Sequence, residues 1–284
     1  LAKKQELTAE ISMEEVGGRT LRVATWRLDQ PSVHPPILFF NGIGANIEAV
    51  APLAEALSDR GFIMFDMPGV GESPDPVVPY NPFTMSWTTA KLLDRFGLDT
   101  VDCVGISWGG AMAQHFTLQH GDRVRKLVLI ATTAGMLMVP GNPASFTKMA
   151  DPRRYIDPEF MNEHFATLYG GLDIDGAAHQ KDSHIGRLKP PSPRGYVYQL
   201  LCMLGWTSAP ALPFLKKETL IMMGDDDQIV LPINGKFLNT LIPNSRLYTV
   251  KGGGHLFLLT HSDESIAELR SFLDEGAGEA AEAA

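Results

Sequence analysis

The stretch of this 284-residue chain best suited to chemistry is Gly105-Ile106-Ser107-Trp108-Gly109. A serine with glycine two residues away on each side fits a nucleophile elbow, a strained strand-to-helix turn that lifts a hydroxyl clear of the backbone. The flanking positions must be small, and the helix that follows points its N-terminus at developing negative charge. A serine hydroxyl is a weak nucleophile at neutral pH. It needs a general base, and the base needs an orienting carboxylate. The pattern is short and recurs by chance, and a glycine-rich connection without chemistry is the plain alternative. The rest of the chain has to decide.

Eight histidines are available: His34, His115, His120, His164, His179, His184, His255 and His261. His34 precedes the first apolar strand run, and His115 and His120 lie on the helix after the serine. His164, His179 and His184 fall in a mid-chain segment where a surface position is the default. His255 alone follows a late strand, in "KGGGHLFLL", where three glycines fit a loop that carries a side chain over a sheet edge. His261 is the weaker alternative. For the acid, "MMGDDDQIV" offers Asp225, Asp226 and Asp227. The apolar Ile229 and Val230 that follow single out Asp227; the other two read as turn residues. Asp227 and His255 are 28 positions apart, room for one helix and one strand.

Acyl transfer also needs donors for an oxyanion. One is the backbone N–H of Trp108. The second is expected from Ile43, in the loop "NGIGAN" (41–46) directly after "ILFF". A phosphate-cradling reading of that loop lacks the Lys-Ser/Thr pair and the dinucleotide spacing. This chemistry calls for no metal and no organic cofactor.

These residues have to be held by particular elements. Residues 8–28 alternate around Gly17-Gly18 and read as a hairpin. Short apolar runs at 36–40, 62–66, 101–107 and 124–132 and the stretch 218–227 read as strands buried on both faces. Helical stretches at 49–57, 87–97 and 108–121 lie between them. After an interruption, helix 237–243, strand 245–255 and helix 262–275 follow, the last N-capped by Ser262. Alternating strands and helices predict an α/β fold with a mostly parallel sheet covered on both faces. The division is core 1–134, a mostly helical cap insertion 135–212, core 213–275 and a flexible acidic tail 276–284. The insertion is rich in large apolar groups, among them Phe146, Phe160, Met161, Phe165, Tyr169, Tyr198, Leu201 and Trp206. Most are expected to form the insertion's own small core, and Tyr198, Leu201 and Trp206 to line an acyl pocket with Asn41 and Trp108.

Composition narrows the function classes. A net charge of -9 without basic clusters argues against nucleic-acid binding. Two cysteines, Cys103 and Cys202, do not make a disulfide framework and favour the cytoplasm. The first residues lack an apolar core of signal-peptide length, and no stretch is long enough to span a bilayer.

With these residues in place, the chain resembles the α/β-hydrolase superfamily. "DMPGVGES" (66–73) is similar to the loop after that fold's fourth strand. More narrowly, "FFNGIGAN", "GISWGGA", "GYVYQLLCMLGWTS", "GDDDQIV" and "GHLFLLT" resemble the intracellular poly(3-hydroxyalkanoate) depolymerases that act on medium-chain-length polyesters. The resemblance implies a Ser-Asp-His triad at Ser107, Asp227 and His255. It further implies hydrolysis of storage polyester at the surface of a cytoplasmic granule. The same core also serves carboxylesterases and carbon–carbon bond hydrolases, and a non-catalytic ligand-binding relative would keep the fold.

Overall fold

The computed structural model describes residues 9–151, 153, 157–169, 187 and 189–276. His179, His184 and the tail from 277 onward lie outside the described residues, as do the side chains of Phe146 and Tyr169. The strands are β1 (Glu10–Val16), β2 (Arg19–Trp26), β3 (Ile37–Phe40), β4 (Phe62–Phe65), β5 (Val101–Ile106), β6 (Val124–Ile130), β7 (Glu218–Gly224) and β8 (Ser245–Val250). They form one sheet in the order β1-β2-β4-β3-β5-β6-β7-β8. β1 and β2 pair antiparallel as the expected hairpin, β2 pairs antiparallel with β4, and every later pairing is parallel.

The helices are α1 (Ile47–Ala56), α2 (Pro82–Arg95), α3 (Trp108–Gln119), α4 (Pro143–Ala150), α5 (Pro158–Tyr169), α6 (Pro193–Cys202), α7 (Pro232–Leu241), α8 (Phe257–Thr260) and α9 (Ser262–Asp274). Strand interiors are apolar at successive positions because helices cover both faces. Leu38, Phe40, Ile63 and Leu129 face Met112 and Phe116 of α3 and Leu92 of α2. Ile37, Phe39, Phe62 and Val128 face Leu53 of α1 and Leu269 and Phe272 of α9.

Several expectations need correction: α7 starts at Pro232 and not at 237, and β8 ends at Val250 and not at 255. α2 starts at Pro82 and not at 87, because Asn81 and Thr84 form a capping box: Thr84 N–H donates to Asn81 Oδ1 at 3.0 Å and Asn81 N–H to Thr84 Oγ1 at 3.3 Å. α9 has His261 at its N-cap without a side-chain cap bond, so Ser262 is the first helical residue and not the cap. The segment between β6 and β7 does not keep its large apolar groups to itself. Met161, Phe165 and Cys202 belong to the same buried cluster as the sheet face under α2 and α3. Helices seated directly on the sheet share its core.

The chain entering α6 is tied to the core by polar contacts. Lys189 Nζ lies 3.0 Å from Glu48 and 2.7 Å from Glu72, and Arg22 pairs with Glu48 at 2.9 Å and Asp66 at 3.2 Å. Burial pushes the Glu48 carboxyl up, but bonds from Arg22, Lys189 and Asn46 outweigh it and hold it down at about 2. A depressed folded-state value contributes stability above the unfolded value of about 4.3, and that contribution is lost as pH falls toward 2. Glu48→Gln should therefore lower Tm at pH 7. The gap to the parent should shrink between about pH 4.3 and pH 2 in thermal unfolding followed by circular dichroism. A constant gap would assign the loss to packing instead of charge.

Candidate active site

Ser107 closes β5 and opens α3 with φ 55 and ψ −120, a left-handed conformation that a side chain seldom adopts. Such strain persists where the surroundings over-determine it. Here Ser107 N–H donates to the Ile130 carbonyl at 2.8 Å. The Ser107 carbonyl accepts from Thr132 Oγ1 at 2.7 Å and Gly110 N–H at 2.9 Å. The flanking glycines have a steric cause. A Cβ on Gly109 would strike the carbonyl oxygens of Phe40 and Asn41, and one on Gly105 would strike the Gly109 carbonyl. Backbone-to-backbone packing this close brings the end of β3 against the elbow.

Asp227 and His255 arrive from the ends of β7 and β8. The two loops fasten to each other: Asp226 N–H donates to the Gly253 carbonyl at 2.9 Å and Asp225 N–H to the Val250 carbonyl at 3.1 Å. A Cβ on Gly224 would strike the Gly253 carbonyl, so the glycine of "MMGDDD" permits this approach. Asp225 caps Gly252 N–H at 2.5 Å, and Asp226 accepts from Gln228 at 3.1 Å. Asp227 is buried and turned inward. Its Oδ1 accepts from Ile229 and Val230 N–H, both at 2.8 Å, and its Oδ2 lies 2.7 Å from His255 Nδ1. His255 Nε2 lies 3.0 Å from Ser107 Oγ. A carboxylate only accepts hydrogen bonds, so Nδ1 carries the ring proton and Nε2 is left to accept the serine's. Asp227 is 1% and His255 4% exposed, which shields the pair from water.

The 41–46 loop stands beside the elbow: a Cβ on Gly42 would be 3.9 Å from Ser107 Cβ. Asn41 is spent on this loop, accepting Gly42 N–H at 2.9 Å and donating to the Asn46 carbonyl at 3.0 Å. Trp108 is half-buried, and its indole N–H donates to the Gln199 carbonyl at 3.0 Å. Among the other residues expected to line a pocket, Tyr198 packs partly buried against the core. Leu201 is 45% exposed on α6. The Trp206 indole N–H donates to His115 Nδ1 at 3.1 Å. His115 lies seven residues along α3 from Trp108, about 10 Å of helix. Sequence reasoning passed over Gln199, Thr132 and the Arg22–Glu48 cluster. A lone polar residue inside "YVYQLLCML" was the available signal for Gln199.

Ser107, Asp227 and His255 sit beyond the carboxyl ends of β5, β7 and β8, where open α/β sheets place ligands. Elsewhere His34, Asp59 and Asp274 bring potential metal-ligand atoms within 4.8 Å of one another. Arg60 pairs with both of those carboxylates, and Arg270 pairs with Asp59. Burial pushes the Cys103 thiol up and the Cys202 thiol to about 12, so neither offers a thiolate.

Residues 35–169 match the family model described as alpha/beta hydrolase fold. The chain is 40% identical over 265 residues to the poly(3-hydroxyalkanoate) depolymerase of Ectopseudomonas oleovorans, covering 92% of this chain and 91% of that protein. This chain belongs to the α/β-hydrolase family. It is a homologue of that depolymerase along nearly its whole length. This α/β-hydrolase is also 27% identical to the 2-hydroxymuconate semialdehyde hydrolase of Pseudomonas sp. (strain CF600), over 84% of this chain and 87% of that one. In fold it is similar to an esterase from Exiguobacterium antarcticum, with a TM-score of 0.77 at 20% identity, over 94% of this chain and 99% of that chain. No helix among the described residues of this α/β-hydrolase is long and apolar enough to cross a membrane.

Proposed function

We propose that this α/β-hydrolase cleaves the ester bonds of poly(3-hydroxyalkanoate) storage polyester, with medium-chain-length units preferred, through an acyl-enzyme on Ser107. The observation that carries the reading is the relay Ser107–His255–Asp227, at 3.0 and 2.7 Å, in a close homologue of a depolymerase. Ser107 Oγ attacks the ester carbonyl carbon as its proton passes to His255 Nε2. Asp227 holds the ring tautomer and balances the imidazolium. Ile43 and Trp108 N–H groups bind the oxyanion. His255 then gives its proton to the departing alcohol oxygen. Water, deprotonated by the same nitrogen, releases the 3-hydroxyacid and restores Ser107.

Residues 135–212 serve as the cap over this site in the same reading. α6 supports an apolar, water-insoluble substrate: Val197, Leu200 and Leu201 are 49%, 51% and 45% exposed at a spacing that puts them on one helical face, and Leu204, just past the helix end, is 78% exposed. The place of action is the polyester granule inside the cell.

Purified protein should release 3-hydroxyacid monomers or oligomers from medium-chain-length polyester faster than from short-chain polyester. Liquid chromatography with mass detection reads both. Turnover of p-nitrophenyl acyl esters with both polyesters intact would make it a small-ester carboxylesterase. Cleavage of a meta-cleavage dienone alone would place it with the carbon–carbon bond hydrolases.

A further inference from the structure

Gln199 sits in the middle of α6 and is 0% exposed, although its neighbours Leu200 and Leu201 reach solvent. Its side-chain Oε1 accepts the Gly44 N–H at 2.9 Å, and its main-chain carbonyl accepts the Trp108 indole N–H at 3.0 Å. An N–H group only donates, so Oε1 faces Gly44 and Nε2 faces away from it. Nε2 is buried and has no hydrogen-bond partner among the described residues. Gly44 follows Ile43, and Trp108 follows Ser107. One glutamine therefore holds both stretches that carry the oxyanion donors.

We propose that Gln199 is a positioning residue for ester hydrolysis, tying the 41–46 loop to Trp108 so that the two oxyanion donors keep one spacing. The inference rests on the donor assignment made under the proposed function. The loop's own bonds, from Asn41 to Gly42 and Asn46 and from Ala45 N–H to the Gly42 carbonyl at 3.2 Å, set its shape. The bond to Gln199 sets where that shape stands relative to Trp108. Oxyanion stabilisation is steep in distance, and a misplacement of about 1 Å can cost on the order of 100-fold. Stability accounts for the glutamine only in part: Oε1 gives the buried Gly44 N–H its acceptor, but Nε2 stays buried without a partner among the described residues. The entry to α6 is also held by contacts away from the 41–46 loop, Ser192 N–H on the Gly69 carbonyl at 2.8 Å and Lys189 Nζ on Glu72 at 2.7 Å. The helix therefore stays docked when the side chain at 199 is changed.

The test uses Gln199→Met, which keeps length and loses the acceptor, and Trp108→Phe, which keeps a ring and loses the indole donor. Each is assayed on a p-nitrophenyl acyl ester. Each is also titrated with a trifluoromethyl ketone of the same acyl length, whose adduct with serine places an oxyanion in the hole. For Gln199→Met, kcat should fall roughly 10- to 100-fold with KM within about 3-fold. The ketone's Ki should rise by the same factor, with Tm within a few degrees of the parent. Both substitutions cut one tie, so the double variant should lose no more than the worse single one. An unchanged Ki, or losses that multiply, would overturn the proposal. Should Gln199→Met fail to fold, Trp108→Phe carries the same comparison of kcat with Ki. A parent enzyme that the ketone does not inhibit would defeat the serine mechanism itself. An inhibited parent with an unaffected Gln199→Met variant would defeat only the role of Gln199.

Discussion

Ser107→Ala is expected to lower ester hydrolysis by about 10⁶-fold in kcat, the scale seen when the nucleophile of a serine triad is removed. The oxyanion donors are backbone groups and survive the change, so a residue of catalysis over water should remain. Labelling by a fluorophosphonate probe should disappear with the activity. The strained backbone adds a second, independent expectation. Ser107 has φ 55, and alanine at that angle keeps the strain, whereas glycine adopts it without steric cost. Ser107→Gly should therefore be inactive yet more stable than Ser107→Ala by about 1–2 kcal/mol. For a domain of this size that corresponds to roughly 2–8 °C in Tm, read by scanning calorimetry. Near-normal turnover by either variant would remove Ser107 from the mechanism. Equal melting temperatures would show that the elbow relaxes once the hydroxyl is gone.

Asp227→Asn should cost about 10⁴-fold in kcat while leaving the fold intact. The reason lies in how Asp227 divides its oxygens. Oδ1 accepts two backbone N–H groups, from Ile229 and Val230, and those donors require an oxygen at that position. An asparagine must therefore keep its carbonyl there and turn its NH₂ toward His255 Nδ1, where Oδ2 now stands at 2.7 Å. Facing a donor, Nδ1 becomes the acceptor and the ring proton moves to Nε2. A protonated Nε2 cannot take the proton of Ser107 across the 3.0 Å contact. Nuclear magnetic resonance of the His255 ring nitrogens should show the exchanged tautomer, and kcat should fall with little change in Tm. Retained activity with the tautomer exchanged would mean that His255 is not the base.

The residues proposed to be catalytic are legible because each is marked by local chemistry. Gly105 and Gly109 mark a turn that excludes side chains, "GDDDQIV" places an aspartate before an apolar pair, and "KGGGH" puts a glycine at the positive φ of position 252 just before the histidine's turn. Strand runs such as "ILFF" and "FIMF" are apolar throughout because both faces are covered, and that too is written locally. Helix starts were less legible. The Asn81–Thr84 capping box sits in a stretch without strong apolar periodicity, and His261 caps α9 without a side-chain bond.

The sequence by itself singled out Ser107, His255 and Asp227 as candidates and determined the alternating order of strands and helices, since these depend on neighbours within a few positions. Only the tertiary structure decided that the helices between β6 and β7 share the sheet's core, that Trp206 meets His115, and that Gln199 holds both Gly44 and Trp108. The Gly44–Gln199 bond joins residues 155 positions apart. A contact of that separation leaves no periodicity in the chain. It exists because packing brings two distant segments together and then requires the buried polar atoms between them to find partners.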